Sequence, residues 1–249
     1  MQIGCGISPT RPHGVAVPAF TPASISGLQL WLDASDASTL FTDSAGTTAA
    51  TANGDPVGRW ADKSGNARHA TQTDGTKKPS RTNSAQNALT GLTYDGVNDF
   101  LNASTGLTGS PFSYYFVGRF LAFYGDRRQI CGMNDTGNFD QYGINGYSGN
   151  LNIYAGVTGM IGFKSTPTAT FLARIEYNGA SSKYQENGGT VYAGNAGTGY
   201  PTSINLAANT TGNAAGNVLQ LEFCLFNRVL SASEITSMTN YLNTKWSVY

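Results

Sequence analysis

For most of its length the chain alternates apolar and polar residues over short stretches, each closed by Gly or Asn. Leu28, Leu30 and Leu32 alternate with Gln29 and Trp31, the period of a strand. From Phe112 to Phe123 one face carries Phe112, Tyr114, Phe116, Gly118 and Phe120, and the other carries Tyr115, Val117 and Leu121. Apolar residues on both faces predict a strand covered on both sides, as in two packed sheets. Phe171 to Tyr177 alternates again, and Asn178-Gly179 turns it toward Lys183 to Glu186. Asn187-Gly188-Gly189 then supplies the positive φ angles of a tight hairpin before Thr190 to Tyr192. Val218 to Phe226 is the last strong strand.

One helix is predicted, at the end. Ser231-Ala232-Ser233-Glu234 is a capping box, in which the serine accepts from the third helical amide and the glutamate reaches back. Ile235, Met238, Tyr241, Leu242 and Trp246 follow at helical spacing, one apolar stripe to lay on the strands. Residues 1–26 have neither period and hold Pro9, Pro12, Pro18 and Pro22, four of the nine prolines. They are expected to form an extended arm, with residues 27–249 as one all-β sandwich domain. Ile3, Ile7, Val15, Val17 and Phe20 would let the arm dock on a partner; the alternative is a frayed tail.

Composition narrows the function classes. The 15 Lys+Arg balance 15 Asp+Glu, and charged residues are 12% of the 249, against about a quarter in ordinary domains. Zero net charge removes bulk attraction to nucleic acid or anionic lipid. Arg59, Lys63, Arg68, Lys77, Lys78 and Arg81 face only Asp62 and Asp74 in one turn-rich stretch, which reads as a solvated surface. No apolar run approaches the roughly 18 residues needed to cross a bilayer, so membrane insertion is not expected. Cys5, Cys131 and Cys224 are an odd set. They are expected to be buried free thiols of a protein that folds in a reducing cytosol, with a Cys131–Cys224 pair left open. The 31 glycines are accounted for by turns, without a ligand.

Four stretches form an ordered set: LQLWLDASDASTL at Leu28 to Leu40, VGRWADKSGNARHAT at Val57 to Thr71, LTYDGVNDFL at Leu92 to Leu101, and LEFCLFNRVLSASEITSMTNYLNTKW at Leu221 to Trp246. In this order they resemble concanavalin A-like, laminin-G-type jelly-roll domains of bacteriophage virion proteins, over residues 27–249. Each motif also has a physical reading. Trp31 and Trp60 are large enough to anchor a core, each with an indole donor to satisfy. Asp62-Lys63-Ser64-Gly65-Asn66 and Asp95-Gly96-Val97-Asn98-Asp99 are turns in which an Asp side chain bonds amides ahead of it.

The resemblance raises two chemistries. Some laminin-G-like domains bind calcium; the best oxygen cluster here is Asp95, Asn98 and Asp99, with Asp33 and Asp36 next, and turn-capping carboxylates are the competing reading. Laminarinase-type hydrolases share the jelly roll and set two acids on one sheet face. The four glutamates here, Glu176, Glu186, Glu222 and Glu234, have no acidic partner two or four positions away. Asp95 with Asp99 sit in a turn, so the chain is expected not to be an enzyme. His13 and His69 cannot build a histidine-rich metal site. GINGYSG at Gly143 to Gly149 is a turn without the helix a phosphate loop needs. Sugar sites pair an aromatic platform with amides and hydroxyls, and Tyr124, Tyr142, Tyr147, Tyr154, Tyr184, Tyr192 and Tyr200 are the candidate platforms.

The leading expectation is a non-enzymatic virion component, a head decoration, head fibre or tail protein, made in the host cytoplasm and placed on the virion surface. It would contact other virion proteins through residues 1–26. The alternative is a carbohydrate-binding adhesin on cell-surface glycans, and a polysaccharide hydrolase is third. A homo-oligomer suits a displayed module, though no heptad sets its number.

Overall fold

The computed structural model describes residues 20–122, 128–134, 142–147, 150–155, 160–165, 169–209, 212 and 215–249, with side chains described outside 123–168. The strands are Leu28–Asp33 (β1), Leu40–Phe41 (β2), Arg59–Trp60 (β3), Ala70–Thr71 (β4), Ser80–Gln86 (β5), Leu89–Asp95 (β6), Leu101–Ser104 (β7), Phe112–Phe120 (β8) and Arg128–Asn134 (β9). Tyr142–Tyr147 (β10), Asn150–Ala155 (β11), Met160–Ser165 (β12), Phe171–Tyr177 (β13), Ser182–Glu186 (β14), Val191–Gly194 (β15), Ser203–Leu206 (β16) and Asn217–Phe226 (β17) follow, and Ala232–Trp246 is the helix α1. Among the described residues they build the all-β, jelly-roll-like sandwich with a single C-terminal helix that the pattern predicts.

One sheet runs β15-β14-β13-β8-β17-β6-β5, with β1 also paired to β17; the other runs β12-β11-β10-β9-β16-β7-β4-β3-β2. β17 is the organising strand. One of its edges pairs with β8 throughout, while the other is shared between β6 at Asn217–Gln220 and β1 at Glu222–Phe226.

The strands of the first sheet bury both faces, and the two faces serve two cores. Phe112, Tyr114, Phe116 and Phe120 of β8 join Leu30, Leu32, Trp60, Phe171, Ile175, Tyr177, Phe223 and Leu225 between the sheets. Tyr115 and Val117 turn the other way, joining Trp31, Leu172, Cys224, Phe226, Met238, Leu242 and Trp246 under α1. Gly118 replaces a large residue on β8 because a Cβ there would press on the Leu219 carbonyl oxygen of β17. Cys224 is a buried free thiol; Cys5 and the Cys131 side chain lie outside the described residues.

Two local shifts change the pattern read from the sequence. β1 slips register between Leu28 and Leu30, so Leu28 joins Trp31 in the helix-side core while Leu30 and Leu32 face the other sheet. β17 slips between Gln220 and Glu222. Leu219 and Leu221 lie in the helix-side core, as do Cys224 and Phe226 beyond the slip. An extra residue changes the parity of side-chain direction, and this one sets Glu222 on the helix side.

The connections use the chemistry expected of them. Asn187 (φ 49°) and Gly188 (φ 64°) occupy the left-handed region between β14 and β15, closed by Gly189 N–H donating to Glu186 O at 2.8 Å, the positive φ angles that a tight turn between antiparallel strands favours. At the start of α1, Ser231 Oγ accepts from Glu234 N at 3.4 Å while Ser231 N donates to Glu234 Oε2 at 2.8 Å. Arg228 adds a donor to Glu234 Oε1 at 2.6 Å.

Residues 20–26, counted with the arm in the sequence pattern, rest on this body. Phe20 meets Tyr241 edge-on with ring centroids 5.9 Å apart, Pro22–Ser24 make a 3-10 turn, and Ile25 is buried in the helix-side core. Residues 1–19 lie outside the described residues.

Candidate functional site

The polar side chains that the fold concentrates lie between β17, β1 and α1. Asp33 and Glu222 are cross-strand neighbours in the β1–β17 register. The side chain of Glu222 is fully buried and its two oxygens receive four donors. Oε1 accepts from Trp31 Nε1 at 2.8 Å and Tyr241 Oη at 3.0 Å; Oε2 accepts from Lys245 Nζ and Trp246 Nε1, both at 2.7 Å. A carboxylate offers about four lone-pair positions, so this one is saturated. Burial, with the nearby Asp33 charge, pushes its pKa above the usual value, while Lys245 and Trp246 pull it down. All four neighbours donate, which fits the ionised form.

Asp33 is held by the same lysine. Its Oδ1 accepts from Lys245 Nζ at 2.6 Å and Ser35 Oγ at 2.6 Å, and its Oδ2 from Lys63 Nζ at 2.9 Å. Burial would raise its pKa, but the Lys245 charge and the hydrogen bonds from Lys245, Ser35 and Lys63 outweigh it and hold the acid below its usual range. Lys63 also pairs with Asp36 at 2.8 Å and lies 4.5 Å from the Trp31 ring centroid. The cation between Asp33 and Asp36, the second calcium candidate of the sequence, is therefore a lysine ammonium.

Beside this network lies a cavity of about 490 Å³, lined by Phe20, Ser237, Asn240, Tyr241, Thr244 and Lys245. Five of the six come from one face of α1 at spacings of three and four residues, which a helix stacks in a row. Phe20 and the Tyr241 ring provide the apolar wall; Asn240, Ser237 and Thr244 provide amide and hydroxyl groups. Burial and the carboxylates of Glu222 and Asp33 push the Tyr241 phenol above its usual pKa, so it works as a donor to Glu222. The size lies in the range of small-ligand pockets, and apolar walls with a few placed polar groups are their usual lining.

The other candidates fall elsewhere. Asp95 and Asp99 do come together in one turn with Asn98: Asp95 Oδ1 accepts from Val97 N at 2.8 Å and Asn98 N at 3.3 Å, and Asp95 N donates to Asp99 Oδ2 at 3.0 Å. Asp99 is buried and Asp95 exposed. Among the described residues no group of three or more His, Cys, Asp or Glu is placed to share a metal. Of the tyrosine platforms, Tyr184 is buried and donates to Glu186 at 3.0 Å, Tyr192 is 37% exposed, and Tyr200 packs against the inter-sheet core. The side chains of Tyr124, Tyr142, Tyr147 and Tyr154, and His13, lie outside the described residues.

Trp31, expected to anchor the sandwich interior, lies instead under the helix. The cations of the turn-rich stretch pin loops: Arg59 donates to Ala45 O, Arg68 to Gln29 O, Lys78 to Thr42 O and Arg81 to Ala50 O. His69 joins them, its Nδ1 accepting from Asp62 N at 3.0 Å with a pKa lowered by burial and by Arg59. The sequence reading missed Glu222, Lys245 and the lining role of Tyr241. The available signal was an acid inside the apolar run VLQLEFCLF, with Ser237, Asn240 and Thr244 flanking a helical tyrosine.

No protein-family model matches the chain, and no curated protein sequence matches it. Solved structures do. A Trypanosoma rangeli sialidase in complex with 2,3-difluoro-KDN is similar with a TM-score of 0.60 and 14% identity, over 94% of this chain and 36% of that one. The binding domain of Paraclostridial Mosquitocidal Protein 1 is similar with a TM-score of 0.60 and 14% identity, over 90% of this chain and 54% of that one. The Botulinum neurotoxin serotype D ligand binding domain, in complex with N-acetylneuraminic acid, is similar with a TM-score of 0.57 and 13% identity, over 88% of this chain and 52% of that one. The chain thus spans about a third to about half of these proteins. At such identities the likeness establishes a shared β-sandwich.

These neighbours correct the expectation that the chain is not an enzyme. That expectation rested on the missing pair of catalytic acids. The structures sharing this fold include sialidases, matched over about a third of their own length at 14% identity. The missing pair of acids therefore does not settle whether the chain is an enzyme.

Two outcomes follow from the charges described. Lys245→Met leaves Asp33 and Glu222 buried without their shared cation, and should destabilise the protein by about 3–5 kcal/mol in urea unfolding; adding Glu222→Gln should recover part of that loss, and a strictly additive double variant would refute the coupling. Asp99 is raised to about 6, first by burial and then by the Asp95 charge. Because the folded-state pKa lies above the unfolded one, its stabilising contribution is complete below about pH 4 and is lost as pH rises through about 6. Asp99→Asn should therefore match the wild type near pH 4 and exceed it by about 1–3 kcal/mol near pH 8; equal pH profiles of thermal unfolding would contradict this.

Proposed function

We propose that the chain is a glycan-binding β-sandwich module and that the cavity between α1 and Phe20 is its saccharide site. The observation that carries this reading is the cavity's composition. Two aromatic rings meet an exposed amide and two hydroxyls, the combination that lets a sugar ring pack its C–H face while its hydroxyls exchange hydrogen bonds. The fold supports it: the serotype D neurotoxin domain with this sandwich was solved with N-acetylneuraminic acid. A glycan microarray probed with the full chain should retain a defined set of glycans. Phe20→Ala and Asn240→Ala should each weaken that set at least about fivefold, roughly 1 kcal/mol, without lowering thermal stability below that of a Val191→Ala control. Retention unchanged by both variants would refute the site.

For its location we propose a virion surface, with residues 1–26 contacting other virion proteins. The support is the proline-rich, pattern-free arm and the order of the sequence motifs. Since Phe20 and Ile25 pack on the body, deletion of residues 1–19 is the clean test. The shortened protein should fold normally and be missing from purified particles; normal occupancy would overturn the docking role.

A further inference from the structure

We propose that this cavity takes an uncharged saccharide terminus and disfavours sugars bearing a carboxylate, N-acetylneuraminic acid among them; the inference rests on the glycan-binding reading. Holding a carboxylate takes an uncommitted cation or a cluster of spare N–H donors. Among the described lining residues Lys245 alone is charged, and an ammonium has three protons. Asp33 Oδ1 takes one at 2.6 Å, Glu222 Oε2 another at 2.7 Å, and Tyr241 Oη the third at 3.3 Å. Turning the ammonium toward a ligand would leave the buried Glu222 carboxylate without a counter-charge and Asp33 with Lys63 alone.

The surroundings repeat the sign. Three acids, Asp33, Asp36 and Glu222, share two lysines, Lys63 and Lys245, so the cluster behind the cavity carries no positive excess. Arg228, on the approach to α1, is bound to Glu234 at 2.6 Å. The lining also runs along the helix from Ser237 to Lys245, into its last turn, the negative end of the helix dipole, which does not favour an anion. The Tyr241 hydroxyl is spent as well, donating to Glu222 and accepting from Lys245. What is left to a ligand is neutral: two ring surfaces, the Asn240 amide, and the Ser237 and Thr244 hydroxyls. Amides and hydroxyls both donate and accept, as sugar hydroxyls do.

The test uses the full chain on matched immobilised glycans, each presented with and without a terminal N-acetylneuraminic acid. The expected result is retention of at least one uncharged glycan and a loss of about tenfold or more when that terminus is sialylated. Binding of the uncharged member should change little between about 50 and about 500 mM salt, because no ion pair is made with the ligand. Asn240→Lys sets an uncommitted ammonium at an exposed helical position and should raise sialylated-glycan binding about tenfold. Equal or tighter binding of sialylated members by the wild type would overturn this inference while leaving the glycan-binding reading standing. An Asn240→Lys variant as selective as the wild type would overturn the charge argument. Retention of no glycan would remove the glycan-binding reading itself, and this inference with it.

Discussion

A single buried carboxylate holds the helix of this protein to its sheet. Glu222 stands in the strand that touches the most others, β17, and every lone-pair position it has is filled from β1 or α1. A charge without partners in that place would cost several kcal/mol, and a charge with this set does not. The direction of the constraint matters. Two indoles, a phenol and an ammonium must converge on one carboxylate, which settles the rotation of α1 about its axis as well as its distance from the sheet. The apolar contacts of Met238, Leu242 and Trp246 are non-directional and would tolerate sliding.

The same clamp shapes the cavity. With Met238, Leu242 and Trp246 against the sheet and Tyr241 and Lys245 turned toward Glu222, the face carrying Ser237, Asn240 and Thr244 is left to line the space beside Phe20. Stability and ligand chemistry are therefore linked through Lys245. Its protons secure the fold, and for that reason they are not offered to a ligand.

Features written in neighbouring residues were legible in the sequence. The capping box at Ser231–Glu234, the positive φ angles at Asn187 and Gly188, and the Asp62 and Asp95 turns appear as read; the two-faced strand does too, except that it ends at Phe120 and leaves Leu121 exposed. The cavity and its network were not, because they join residues far apart in the chain: Trp31 and Glu222 are 191 positions apart, and Asp33 and Lys245 are 212 apart. The register slip in β17 hid the site further. Periodicity assumes strict alternation, and only a partner strand reveals that one residue is extra. Tyr241 was visible as part of a packing stripe and does pack, against Phe20, while its hydroxyl serves the clamp.

A sialidase and two toxin binding domains share this sandwich at 13–14% identity, which shows how little of its sequence the architecture requires. Alternation explains the tolerance. On each two-faced strand, the residues facing the other sheet need only be apolar and of suitable volume, whereas the opposite face can carry different chemistry in each protein. In this chain that opposite face carries Trp31, Asp33 and Glu222, with Lys245 of α1 set against them. Neither the fold nor a census of acids decides what such a molecule does; the fold supplies the platform, and function has to be argued from these outward residues and the groups they leave uncommitted.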